Sequence, residues 1–262
     1  MLLDVAWMPH HAAEVSALTR ICVQAGRPFD YNRRIRRDAI VVVRIFWGAA
    51  GSGLRRHRQV VNQSVAPDDR RMQQIITETL AAHLAVIQAL ERLTPDILRF
   101  AERAWSCLAN GGRLFWMGNG GSAADSQHLA AELVGRFERE RPGLASIALT
   151  TDSSILTSVS NDYGFESVFA RQVEALSRPG DLLIGLSTSG SSANVLRAMQ
   201  RAGELGIERV GLTGGSGGAL AAHCELCLVV PADNTARIQE AHILIGHMLC
   251  DLVERHAVAA AR

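Results

Sequence analysis

A chain of 262 residues, 48 % apolar and with a formal net charge of +1, can bury one large α/β domain with an appendage and lacks the basic excess of a dedicated nucleic-acid binder. All 27 basic residues are arginine, so neither a lysine Schiff base nor a P-loop lysine is open to it. The odd count of five cysteines suits a reducing compartment, and no apolar run or signal pattern argues for a membrane or for export, so the expected location is the cytoplasm.

Residues 1–71 differ from the rest. They hold 12 of the 27 arginines, in clusters such as RRIRR and RRHR, and show no sustained period. The nearest approach to a membrane span, AIVVVRIFWGAAGSG from Ala39, is broken by Arg44. Two readings fit: a basic, poorly ordered extension, or translated sequence upstream of a true start near Met72. We favour the second. Polybasic segments can touch nucleic acid or acidic lipid, but nothing else in the chain supports that role.

From Met72 the pattern is regular. MQQIITETLAAHLAVIQALERL predicts an amphipathic helix with Ile75, Ile76, Leu80, Leu84 and Ile87 near three-four spacing. DILRFAERAWSCLAN predicts a second, ended by Gly111 and Gly112. RLFWMG reads as a strand, SAADSQHLAAELVGRF as a helix and ASIALT as a strand. A Ser/Thr/Asp-rich segment and the turn-like NDYGF lead to a helix through ALSRPG. DLLIGLS is a strand, SSANVLRAMQRAGELG a helix, RVGLTG a strand, GALAAHC a short helix and ELCLVVP a strand. TARIQEAHILIGHMLCDLVERHAV closes the pattern as a long helix. Cys224 and Cys227 form a CxxC in HCELCLVV; with no second CxxC and a strand following, they read as packing residues rather than a redox or metal pair.

Apolar strands alternating with helices predict an α/β fold: a doubly wound, five-stranded parallel sheet covered on both faces and preceded by extra N-terminal helices. Leading helices of this kind pair between subunits, which predicts an oligomer. In such sheets the ligand lies at the carboxyl ends of the strands, near a switch point.

Two strand ends carry unusual chemistry. In MGNGGSAAD, Gly118, Gly120 and Gly121 permit a tight turn and close approach to a ligand, and Ser122 is expected at or near the N-cap, where free N–H groups face an anion. In LSTSGSSAN, Ser187, Thr188, Ser189 and Ser192 surround Gly190 at a helix start. Four hydroxyls and a helix N-terminus suit a phosphate monoester without a basic side chain. A dinucleotide site fits less well, because GNGGSAA is not GxGxxG and ASIALTT ends without an acidic residue. The loop TGGSGG lacks the hydroxyl density and reads as a turn.

His128 and Glu132 stand at i and i+4, about one and a half to three turns into the helix that begins at Ser122. On the last helix Gln239 and His247 are about 80° apart around the axis, so both can face one site. A histidine, a carboxylate, an amide and a second histidine could bind a borderline ion such as zinc. HxxxE alone equally describes a solvated intrahelical pair.

In this order and spacing, GNGGSAADSQHLAAELVGRFERERPG, SNDYGF, LSTSGSSANV and RIQEAHILIGH resemble the sugar isomerase (SIS) domain, a three-layer αβα sandwich, and within it the bacterial phosphoheptose isomerases. The resemblance runs from about Met72 to Glu254. It implies interconversion of sedoheptulose 7-phosphate, a phosphorylated seven-carbon sugar, and D-glycero-D-manno-heptose 7-phosphate, in the supply of heptose for lipopolysaccharide precursors. Asn119, Gly120, Gly121, Ser122, Glu132, Ser187, Thr188, Ser189, Ser192 and Gln239 would bind substrate, with Asn161 and Asp162 meeting sugar hydroxyls. His128, Glu132, Gln239 and His247 would hold one Zn2+ per subunit, and Glu132 and His247 would be the acid–base pair. Arg136 would reach a neighbouring subunit's site in a homotetramer. The chemistry suits these residue types: aldose–ketose isomerisation needs a base, an acid and a partner for the enediolate oxygen.

One departure stands out. Ala236 precedes RIQE where the isomerases carry an acidic residue. That feature is shared with a non-enzymatic relative that binds the replication initiator DnaA, but that relative lacks the glutamate and final histidine present here as Glu132 and His247. A sugar-phosphate-sensing SIS regulator would need a helix-turn-helix ahead of the domain, and the extension shows none.

Overall fold

The structure, a computed structural model, describes residues 42–45, 58–61 and 69–260. The chain divides between Met72 and Gln73. In the first unit, β1 (Val42–Ile45) and β2 (Arg58–Val61) pair antiparallel, with Val42 opposite Val61 and Ile45 opposite Arg58. The readings of the extension as poorly ordered and of a start near Met72 lie outside the described residues.

The helix α1 (Asp69–Ala89), whose first residues precede that division, runs through a 3-10 turn (Leu90–Leu93) into α2 (Thr94–Ala109). The two helices use their apolar stripes differently. The stripe of α2 is buried through Ile97, Phe100, Ala101, Ala104 and Cys107, and the helix stops where Gly111 takes φ 81°. On α1 no residue is buried: Ile75, Ile76, Leu80 and Leu84 are 48, 60, 58 and 58 % exposed, and only its end, through Val86 and Ile87, reaches the core.

The strands β3 (Leu114–Gly118), β4 (Ser146–Ala148), β5 (Leu182–Leu186), β6 (Glu208–Gly214) and β7 (Leu226–Val230) form one sheet in the order β4-β3-β5-β6-β7, every pairing parallel. Both faces are covered, which explains unbroken apolar runs such as LFWM. Leu114 and Trp116 join a core beneath α2, α3 (Gly121–Val134) and α7 (Thr235–Ala260), while Phe115 and Met117 join a second core beneath α5 (Val168–Leu176) and α6 (Ala193–Glu204). The chain steps from β3 outward to β4 and then back across to β5, so the switch point lies between β3 and β5. Their register, Leu114 with Leu182 and Gly118 with Leu186, ends both strands level and sets the glycine turn beside the serine loop.

Two elements differ from expectation. The helix α3 stops at Val134 instead of running to Phe137. The carboxylate of Glu254, on α7, accepts the backbone N–H groups of Phe137, Glu138 and Arg139 at 3.0, 2.9 and 2.7 Å, and so draws that segment out of the helical ladder. The Ser/Thr/Asp-rich segment contains a helix, α4 (Ser153–Tyr163), capped by Asp152, whose carboxylate accepts from Ile155 N at 2.9 Å. No residue of α4 is buried, so it carries no strong apolar period to read.

Candidate active site

The glycine turn leaves β3 at Gly118. Gly120, with φ 56°, occupies the N-cap of α3. Ser122 lies near that cap, as the second residue of the helix, 3 % exposed and packed beneath Gly118. Space calls for glycine at Gly118, whereas at Gly121 a β-carbon would meet only the end of a flexible side chain. A β-carbon at Gly118 would stand 2.7 Å from Ser122 Cβ, and one at Gly121 would stand 2.7 Å from Gln239 Nε2. The Gln239 amide therefore lies directly on the turn.

The serine loop folds on itself. Ser187 Oγ and Ser192 Oγ are 2.9 Å apart, Ser191 Oγ donates to Ser189 Oγ at 2.9 Å, and Ser192 holds the N-cap of α6 with its hydroxyl unused by the helix. Thr188 is half-buried and gives its carbonyl to Gly214 N at 3.1 Å. The helix N-terminus and neighbouring hydroxyls form an uncharged anion cradle. The TGGSGG turn is part of its construction: a β-carbon at Gly190, where φ is 63°, would lie 2.1 Å from Gly217 O.

The two loops are tied together. Asn119 Nδ2 donates to Asn194 Oδ1 at 2.9 Å and Asn194 Nδ2 donates to Asn119 Oδ1 at 2.8 Å. Asn194 is 3 % exposed and its Oδ1 also accepts from Val195 N. Its position in SSAN, just inside a helix start, was the available signal for a role not assigned from sequence.

Two turns further along α3 the titratable groups converge. His128 Nε2 is 3.0 Å from Glu132 Oε1 and 3.3 Å from His247 Nε2. One donor atom from each of His128, Glu132 and His247 lies within 4.8 Å of the others. Two imidazole nitrogens facing each other beside a carboxylate require a proton or a cation between them. This donor set fits a borderline divalent ion. The ring of Phe137 stacks on His247 at 5.5 Å, so the segment held by Glu254 also buttresses this cluster. Gln239, eight residues before His247 on α7, lies at Gly121.

Asp125, one turn before His128, has a buried Oδ2 without a partner; burial raises its pKa, while the charge of His128 acts the other way. Asn161 and Asp162 occupy the last turn of α4, where Asn161 Nδ2 donates to Asp162 Oδ1 at 2.8 Å. No hydrogen bond joins them to either loop or to the three-residue cluster among the described residues. Arg136 is exposed and pairs with Glu140 at 3.5 Å. Ala236 lies in the first turn of α7, where its N–H is taken by Asn234 Oδ1 at 2.9 Å.

The SIS domain family matches residues 80–214. Over 190 residues the chain is 55 % identical to the phosphoheptose isomerase of Roseiflexus sp., covering 72 % of this chain and 96 % of that protein. The chain belongs to the phosphoheptose isomerase family. Solved structures agree: the phosphoheptose isomerase of Neisseria gonorrhoeae, 45 % identical, matches with a TM-score of 0.67 over 70 % of this chain and 99 % of its own. That of Francisella tularensis, 41 % identical, matches at 0.65 over 71 % and 97 %. Phosphoheptose isomerases are aldose–ketose isomerases, and this chain is an enzyme of that class. No helix among the described residues is long and apolar enough to cross a membrane.

Proposed function

We propose that the chain interconverts sedoheptulose 7-phosphate and D-glycero-D-manno-heptose 7-phosphate in the cytoplasm, as a step toward lipopolysaccharide heptose. The observation that carries this reading is the meeting of His128, Glu132 and His247 beside two anion-ready loops, in a chain 55 % identical to a phosphoheptose isomerase.

The phosphate binds the hydroxyls of Ser187, Thr188, Ser189 and Ser192 and the N-terminus of α6, and Asn119, Gly120 and Gly121 border the sugar. Asn161 and Asp162 meet its far hydroxyls. Glu132 removes the C1 proton of the ketose and returns it to C2; its Oε1 faces His128, which leaves Oε2 for the proton. His247 protonates O2 and receives the O1 proton, so the enediol forms and collapses without net change in charge. A zinc ion held by His128, Glu132 and His247, with Gln239 as a fourth donor, would stabilise charge on the enediolate oxygens. The uncovered stripe on α1 supports assembly as a homo-oligomer, which we read as a tetramer, with Arg136 serving a neighbouring site.

The test is turnover of sedoheptulose 7-phosphate with and without a chelator, beside Glu132→Gln. The reading expects product from the wild type, loss on chelation with recovery on added zinc, and loss of at least ~100-fold in the variant. A variant with wild-type kcat would refute the role of Glu132, and absence of product with every divalent ion would refute the activity.

A further inference from the structure

Cys224 and Cys227 take no part in the site described above, and they are not ordinary packing residues. Cys224 ends the 3-10 turn Ala219–His223, and Cys227 lies on β7 opposite Gly211 of β6. A side-chain carbon at Gly211 would stand 2.9 Å from Cys224 Sγ and 3.1 Å from Cys227 Sγ. Both sulfurs therefore crowd the one space that glycine leaves free. Both residues are half-buried, whereas Cys107 and Cys250 are buried. The thiols also sense each other. A hydrogen bond from Cys224 lowers the pKa of Cys227, and the same contact, with burial, raises that of Cys224. With both sulfurs against Gly211, a thiol that is oxidised has the other beside it to resolve it.

We propose that Cys224 and Cys227 are a dithiol oxidation site that closes to an intrachain disulfide when it meets a hydroperoxide. The Cys227 thiolate attacks the peroxide oxygen, the O–O bond breaks, and Cys227 becomes a sulfenic acid as hydroxide or alkoxide leaves and takes up a proton. The Cys224 thiol then attacks the Cys227 sulfur, forming the S–S bond and releasing water. In total two thiols lose two protons and two electrons, and one hydroperoxide is reduced to water and an alcohol, or to two waters from hydrogen peroxide. The bond would staple the 3-10 turn to β7. The N-cap of that turn is Gly218, where a β-carbon would lie 2.6 Å from Ser189 O, so the stapled turn meets the serine loop at its other end.

The test uses the intact, folded chain treated with hydrogen peroxide, quenched, alkylated and cut after arginine. Both cysteines fall in one peptide, residues 210–237, between Arg209 and Arg237. The expected product is that peptide lighter by two hydrogens, carrying no alkyl group, and accepting two after dithiothreitol. It should form faster in the folded chain than in urea. In Cys224→Ser, a dimedone adduct should appear on Cys227. Two alkyl groups on the peptide after oxidant, sulfinic or sulfonic acid without a disulfide, or equal rates folded and unfolded would each overturn the proposal.

Discussion

Glu254→Gln removes one charge and almost no volume, from a position of 0 % exposure. The carboxylate accepts three backbone N–H groups and stands 3.3 Å from Arg141 Nε, on a side chain itself 1 % exposed. The carboxamide must turn its NH2 toward a donor, and Arg141 loses its buried counter-charge. Breaking a buried pair from one side costs about 3–5 kcal/mol. The lower end applies, because the Arg141 guanidinium keeps bonds to the carbonyls of Glu132, Leu133 and Gly135. For a unit of this size, about 3 kcal/mol lowers Tm by about 6–12 °C. Thermal melts followed by circular dichroism, with urea unfolding at unchanged m-value, measure it. A Tm within about 2 °C of wild type would refute the reasoning. The pH dependence is a second check. Burial alone would raise the Glu254 pKa, but the N–H groups of residues 137–139 and Arg141 outweigh it and hold it below the usual carboxylate range. Its stabilisation is therefore full above the unfolded-state pKa and lost as pH falls through the folded one, a loss that the glutamine variant does not share.

Burial lowers the His242 pKa from 6.5 to about 4, against the pull of the Thr213 carbonyl. The unfolded state then binds more protons in that window, so stability should fall by about 2 kcal/mol between pH 7 and pH 5; His242→Gln should flatten the slope in urea titrations, and parallel slopes would refute this. Asn194→Ala removes both bonds between the two loops and should raise KM about tenfold with kcat within about threefold, because it loosens binding rather than the proton-transfer groups. An unchanged KM would show that the loops hold each other by other means. Ile76→Glu with Leu80→Glu charges the uncovered stripe of α1 and should lower the mass of the proposed oligomer in light scattering; a mass that does not change would refute a subunit contact through that stripe.

Strand periodicity, the two loops and the last helix were legible because each is written locally: β3 and β5 as short apolar runs, the loops as Gly and Ser at strand ends, α7 as one long periodic stretch. The meeting of His128 and Glu132 followed from i,i+4 spacing, and that of His247 with them needed only the two helices to pack side by side. What escaped reading depends on partners distant in sequence. Glu254 looks like any exposed helix glutamate until the loop 137–141 folds onto it. Asn194 looks like a cap residue until Asn119 faces it. The helix α4 has no buried face, so only its Asp152 cap signalled it.

The helix α7 carries Gln239 at the glycine turn, His242 under β6, His247 in the ligand cluster and Glu254 beneath the loop that supports Phe137. These contacts are spaced along one rigid rod, and they are synthesised after every strand of the sheet. A nascent chain that has completed β3 to β7 already owns the glycine turn and the serine loop, yet has only two of the three clustered donors and an open apolar face where Ile245 and Leu249 will dock. On the proposed reading, sugar-phosphate recognition and chemistry therefore mature at different moments of translation, the second only once α7 has been made.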